Sequence, residues 1–212
     1  MPVPSRERVV ELLSAHMQPT GPGFSAGELD LEDVTVSKAG SHSVVKVIVD
    51  RDSGFELDAL ATLSHEVSEI LDAATEFGDT AYNLEVTTPG VDRPLTEPRH
   101  WRRARGRMVT VTTADETIDG RVGELRPGSS ESSTDGAELD LVLRSRTGPT
   151  VRTLALDEVV SAAVQVEFKK PNPVELEMAG GVAPGRFDPL NPPEEPVTGL
   201  DDDDTDDTDD ER

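Results

Sequence analysis

Residues 85–95 read EVTTPGVDRPL, and the chain changes its grammar on either side of them. The approach, Tyr82 to Thr88, sets Tyr82, Leu84 and Val86 against polar neighbours, the alternation of a half-buried strand. It ends at Pro89-Gly90, where proline fixes φ and removes a donor while glycine gives access to positive φ, so the chain turns. Beyond the turn Asp92 and Arg93 stand side by side, and Pro94 biases Arg93 away from helix. The stretch is a stiff hinge with a charged tip. Two readings of that tip stand together. Asp92-Arg93 offers a pre-ordered surface to a partner, which lowers the ordering cost of binding. Alternatively Asp92 caps the turn and Arg93 clamps the parts on either side.

Upstream of the hinge the spacing predicts helix, strand, strand, helix, strand. A helix starts near Ser5, with Val9, Leu12, Leu13 and Met17 on one side, and a Pro-Gly cluster at 19–23 ends it. Strands follow at Leu31–Lys38 and Val44–Arg51. In the second of these, Val45, Val47 and Val49 share one face and Val44 and Ile48 the other. The short link at 39–42 reads as a hairpin. A longer helix runs from an N-cap at Asp58 to Phe77, with Leu60, Leu63, Val67, Ile70, Leu71 and Ala74 as its apolar stripe. The expected result is a two-layer α/β domain over residues 1–91, two helices covering one face of a three-stranded sheet.

Downstream, Thr96-Glu97-Pro98 opens a short helix. Five strand-like runs follow at 108–112, 117–125, 138–144, 150–156 and 162–168, with a helical turn at 157–160 before the last. Gly120 and Gly123 are places for a long strand to bend, and residues 127–136 read as a loop. The pattern predicts a small β-barrel over residues 92–170, whose closure removes exposed edges. The fold class is α+β.

Charge divides the chain again. The formal net charge is −23, and of the 43 acids 14 fall in residues 171–212, against 2 of the 20 bases. That tail, proline-rich and then a run of aspartates, holds too little apolar surface to offset its ordering entropy and reads as disordered. With no cysteine, disulfides and thiolate metal sites are excluded. No apolar run reaches the ~18 residues of a membrane span, so a soluble, cytoplasmic protein is expected.

Nothing in the spacing points to catalysis or to a cofactor. His16, His42, His65 and His100 lie in separate elements without metal-ligand spacing, and the carboxylates Asp50 and Asp52 read as a solvated strand end. The glycines at 21–23 lack the Lys-Ser/Thr sequel of a phosphate loop. A hydrolase built on scattered carboxylates and His65 finds no support. The informative cluster is basic: Arg93, Arg99, Arg102, Arg103, Arg105 and Arg107 stand against only Asp92 and Glu97, and enclose the only tryptophan, Trp101. Arg99, Trp101, Arg102 and Arg103 could meet RNA by guanidinium contacts and stacking. The competing reading pairs these arginines with the acidic first domain and the tail and packs Trp101 between domains.

The hinge and the HWRRARGRMVTV segment after it resemble the signature of the bacterial ribosome maturation factor RimP family. The match is most specific at Pro89, Gly90, Asp92, Arg93, Pro94 and Leu95, and the likeness spans roughly Ser5 to Phe168. Thr87-Thr88 stands where the family typically has serines, and Val91 where it has leucine. The resemblance implies an N-terminal α/β domain and a C-terminal SH3-like (Sm-like) barrel. It also implies a non-enzymatic assembly factor for the small (30S) ribosomal subunit, engaging its precursor and the twelfth small-subunit ribosomal protein and aiding maturation of 16S ribosomal RNA. On this reading the six matched residues form a partner-binding or domain-orienting hinge, and the protein works as a monomer. An acidic surface would steer a basic ribosomal protein toward encounter. The alternative is an Sm-like protein that binds RNA directly.

Overall fold

The computed structural model describes residues 5–18, 21–25, 27–39, 42–74, 82–130 and 133–192. Helix α1 (Arg6–Met17) starts where Ser5 accepts a hydrogen bond from the Arg8 amide at 3.3 Å. Strands β1 (Asp30–Ala39) and β2 (His42–Asp50) pair antiparallel, as the hairpin reading requires, although residues 40 and 41 of the connection lie outside the described residues. Helix α2 (Leu57–Asp72) then crosses over, and β3 (Tyr82–Thr87) joins β2 in parallel, giving the order β1-β2-β3.

Both helices share one core with one face of this sheet. Val9 and Leu13 of α1 and Leu63, Val67 and Leu71 of α2 are buried with Val34, Val45, Val47 and Val49. Two details differ from the sequence reading. The N-cap of α2 is Glu56, with no side-chain cap bond, so Asp58 lies inside the first turn, where a negative charge still favours the helix dipole. The helix also ends earlier than expected, at Asp72 with Ala73 as its C-cap, so Ala74 lies past its end and the predicted run to Phe77 is not made.

A β-bulge interrupts the β1–β2 register: Leu31 faces Val49 and Asp33 faces Ile48, leaving Glu32 as the extra residue. A bulge re-aims the side chain that it extrudes. The slip is written in the sequence as a three-residue step from Leu31 to Val34 where a regular strand would step by two.

Past the hinge lie α3 (Pro98–Arg103), then β4 (Met108–Thr113), β5 (Thr117–Arg126), β6 (Glu138–Leu143), β7 (Thr150–Ala155) and β8 (Val159–Val164). They form one antiparallel sheet in the order β7-β6-β5-β4-β8. The last strand starts three residues earlier than expected, because the helical turn is a 3-10 turn at Leu156–Glu158. The ladder of β5 with β6 shifts between Val122 and Leu125, around Gly123, where a Cβ would stand 2.9 Å from the Asp140 carbonyl oxygen. No ladder joins β7 to β8 among the described residues, so the closed barrel expected from the sequence is not formed by strand pairing. Its core, including Val109, Val111, Ile118, Leu139, Leu141 and Leu154, is nonetheless continuous with Trp101 of α3.

The disordered segment predicted from Pro171 onward is corrected over its first part. Asn172 accepts from the Val174 amide at 3.0 Å and Pro173 follows at the first helical position, so α4 (Pro173–Met178) starts with two N-terminal signals. Leu176, Ala179 and Ala183 are buried. The chain then runs as a strap across both sheets: the Ala183 amide donates to the Arg105 carbonyl at 3.1 Å, and Arg186 donates to Asp50 at 2.8 Å. Acid counting missed this strap because Glu175, the most buried of its acids, is neutralised by arginines far away in sequence. The aspartate run at 201–210 lies outside the described residues.

At one point the strap needs glycine on both sides. Gly54 and Gly185 both have positive φ, 68° and 67°, and a Cβ on Gly185 would overlap the Ser53 carbonyl. Gly185→Ala is expected to lift the strap at a cost of about 1–3 kcal/mol. Limited proteolysis between residues 179 and 192 should accelerate; unchanged cleavage would mean that the strap tolerates the added methyl.

Candidate functional site

The hinge residues and α3 converge on the bulge in β1. The α3 helix works in two directions because of its spacing. Trp101 and Ala104 turn into the core of the second sheet, whereas His100 and Arg103 face the first. His100 also shapes the helix start: its Nδ1 accepts from the amides of Thr96 and Glu97, both at 3.1 Å, leaving Nε2 to donate to Glu32 at 3.0 Å.

Glu32 is the centre of the cluster, and its side chain is 0% exposed. It takes Arg93 at 2.7 Å, Arg99 at 3.0 Å, Arg103 at 3.0 Å and His100 at 3.0 Å. Burial alone would raise its pKa, but the hydrogen bonds from His100 and Arg99 and the charge of Arg93 outweigh it and hold the carboxyl at about 2. Arg103 also reaches Asp30, Asp50 and Asp52, and Arg102 pairs with Asp52 at 2.8 Å. Burial works against the charged form of Arg103, yet its hydrogen bonds to Asp30 and Asp52 prevail and raise its pKa. Burying such charges costs several kcal/mol per ion, so the arrangement holds only while each carboxylate keeps its fork of donors.

These contacts place each residue singled out from the sequence. Pro89 and Gly90 form the turn, with the Arg93 amide donating to the Gly90 carbonyl at 3.2 Å. Gly90 does not use positive φ. A Cβ there would stand 2.7 Å from Oδ1 of exposed Asp92, a side chain free to turn aside. Asp92 and Arg93 do not pair with each other. Arg93 clamps onto Glu32, and exposed Asp92 has no hydrogen bond or ion pair among the described residues. Pro94 bridges Ala163 at the edge of β8, while the Leu95 amide donates to the Ala162 carbonyl at 2.9 Å and its side chain packs on the second core.

Of the four residues considered for RNA contact, three are turned inward. Trp101 is 1% exposed and offers no ring face to a base, Arg103 is enclosed by carboxylates, and Arg99 is held by Glu32 and Glu97. Only Arg102 is half-exposed, and it too is ion-paired. The competing reading is matched in part: Arg93, Arg99, Arg102 and Arg103 pair with acids of the first half, but Trp101 packs in the core of the second sheet and not between the domains. Asp50, expected at a solvated strand end, is instead buried between Arg103 and Arg186.

A second polar core was not legible beforehand. Arg121, on β5, is 0% exposed; it donates to the Gly106 carbonyl at 2.7 Å, to Glu167 at 2.9 Å and to Glu175 of α4 at 3.3 Å. Arg144 completes the group on Glu175 at 2.8 Å. Burial would raise the Glu175 pKa, but the hydrogen bond and charge of Arg144 lower it overall.

Two comparisons with known proteins bear on this junction. The family profile of the RimP N-terminal domain matches residues 22–92, from before β1 to the hinge. Over 190 residues the chain is 43% identical to a ribosome maturation factor RimP from Mycobacteroides abscessus, covering 86% of this chain and 92% of that relative.

Proposed function

Because the chain belongs to the ribosome maturation factor RimP family, we propose that it is a non-enzymatic assembly factor for the small (30S) ribosomal subunit. In this reading it binds the twelfth small-subunit ribosomal protein, delivers or holds it at the precursor, and so assists 16S ribosomal RNA maturation in the cytoplasm. Among the described residues no helix is long and apolar enough to cross a membrane.

One observation carries the choice of a basic protein over naked RNA. Arg93, Arg99, Arg102 and Arg103 are engaged by Asp30, Glu32, Asp50 and Asp52, so α3 and the hinge present no continuous basic face to a nucleic-acid backbone. An acidic exterior attracts a basic partner and sets its rate of encounter more than its final affinity. Strand β7, at the edge of its sheet, has unpaired backbone groups on one side and can accept an added strand. Exposed Asp92 at the hinge tip is a second point of contact in this reading.

We read residues 1–91 as one domain and 92–170 as an SH3-like barrel. The order β7-β6-β5-β4-β8, with a 3-10 turn between the two edge strands, supports that reading. The hinge orients the two.

Immobilised full-length chain is expected to retain the twelfth small-subunit protein at physiological salt, with capture falling as salt rises. In cells dependent on this chain, Arg93→Ala is expected to shift sedimentation profiles toward immature small subunits. Tight binding to protein-free 16S ribosomal RNA together with no capture of the ribosomal protein would instead establish the direct RNA-binding reading.

A further inference from the structure

Between the two sheets, beneath the hinge, lies an open cleft of about 110 Å3. Its walls come from every part of the molecule that meets there. Asp50 closes one side from β2, the hinge loop 89–91 another, Arg103 enters from α3, Arg107 from the segment before β4, and Arg186 from the strap. Arg93 also lines it, so four arginines and a single acidic residue border the cleft.

The four are not equally satisfied. Arg93 and Arg103 are held by Glu32 and the aspartates of the bulge region. Arg186 has Asp50 and the Arg51 carbonyl, but its Nε is buried without an acceptor. Arg107 is half-buried, and among the described residues no acceptor or carboxylate pairs with its guanidinium. Burial disfavours its charge, the neighbouring Arg186 cation disfavours it further, and Glu167 only partly compensates. A half-enclosed cation with no carboxylate in hydrogen-bonding contact, beside a second cation that shares its one aspartate with Arg103, is an arrangement short of an anion.

We propose that this cleft is a binding site for a phosphate group, held between Arg107 and Arg186. A tetrahedral oxyanion presents several acceptors to two planar guanidinium forks, which a chloride or a single carboxylate does less completely. The cleft has room for one phosphate and little more, so the ligand is inorganic phosphate or the terminal phosphate of an RNA. Because the walls belong to both sheets, the hinge and the strap, an occupied site ties all four together. Phosphate then stabilises the assembled arrangement over the opened one by mass action. This site is independent of the function proposed above, since inorganic phosphate binding requires neither ribosomal protein nor ribosome.

Isothermal titration of the full chain with sodium phosphate, at ionic strength matched by chloride, tests the proposal. Saturable one-to-one binding is expected, weakened at least about tenfold by Arg107→Gln, as loss of a charged hydrogen-bonding group implies. Should Arg107→Gln fail to fold, Arg107→Lys keeps the charge without the planar fork, and a several-fold loss is expected. A second arm uses a short RNA with a 5′-phosphate beside the same RNA with a 5′-hydroxyl. Preference for the phosphorylated RNA that Arg107→Gln abolishes identifies an RNA end as the source, and equal or tighter binding of the free ion identifies inorganic phosphate. No saturable binding of either, or affinities unchanged by the Arg107 substitutions, overturns the site.

Discussion

Replacing Glu32 with glutamine is expected to destabilise the protein by about 3–5 kcal/mol, the usual cost of removing one member of a buried ionic group. For a chain of this size that corresponds to a melting temperature lower by roughly 6–20 °C. The substitution keeps the shape of the side chain and removes only the charge on which Arg93, Arg99 and Arg103 converge. The effect carries a pH signature. The folded pKa of Glu32, about 2, lies below its ordinary 4.5, so its contribution is complete above about pH 4.5 and is lost as pH falls toward 2. That contribution is on the order of 3 kcal/mol. Thermal melts of wild type and Glu32→Gln should therefore differ most near neutrality and approach each other in acid. Equal melting temperatures at pH 7, or a gap that stays constant down to pH 2, would show that the carboxylate does not hold the junction.

The second large effect is expected at Arg121. Arg121→Met preserves the length of the stem but leaves the Gly106 carbonyl without its donor and Glu175 with Arg144 alone. A loss of about 3–5 kcal/mol in urea unfolding is expected. Faster hydrogen exchange should appear in α4, which Glu175 anchors. Adding Glu175→Gln should recover part of the loss, because it removes the stranded charge, while half-exposed Arg144 returns to water. A single variant that loses less than ~1 kcal/mol would assign the docking of α4 to Leu176 instead.

Much of the architecture was legible because it is periodic. The valines of β2, the stripe of α2 and the alternation in β3 are local patterns, and each element lies where its pattern puts it, except that α2 stops at Asp72 short of the predicted Phe77. The hinge was legible for the same reason, since proline and glycine act on their neighbours. What the pattern could not carry was pairing at a distance. Arg93 and Glu32 are 61 residues apart and Arg186 and Asp50 are 136 apart, and no rule of spacing joins them. The arginine cluster therefore supported two readings until its acids were located. Glu32 itself left a trace in the broken step from Leu31 to Val34, but a bulge and a weak strand read alike in one dimension. Arg121 was hidden because a charged residue in a strand is ordinarily on the solvent face. The barrel illustrates the opposite error: five short strands suggested closure, which depends on where the two edges meet and not on the strands themselves.

The strap also imposes an order in time. The chain is made from its N-terminus, and the first sheet can assemble once β3 has emerged, with the second following after β8. Asp50 must then wait for residue 186 before its last cation arrives. Until then the strap's wall of the junction is missing, and the two halves are held by the ion pairs that the hinge and α3 make with Asp30, Glu32, Asp50 and Asp52. A chain released only as far as β8 therefore has both sheets complete while Asp50 still lacks Arg186, and synthesis of the strap supplies the last contact between the halves.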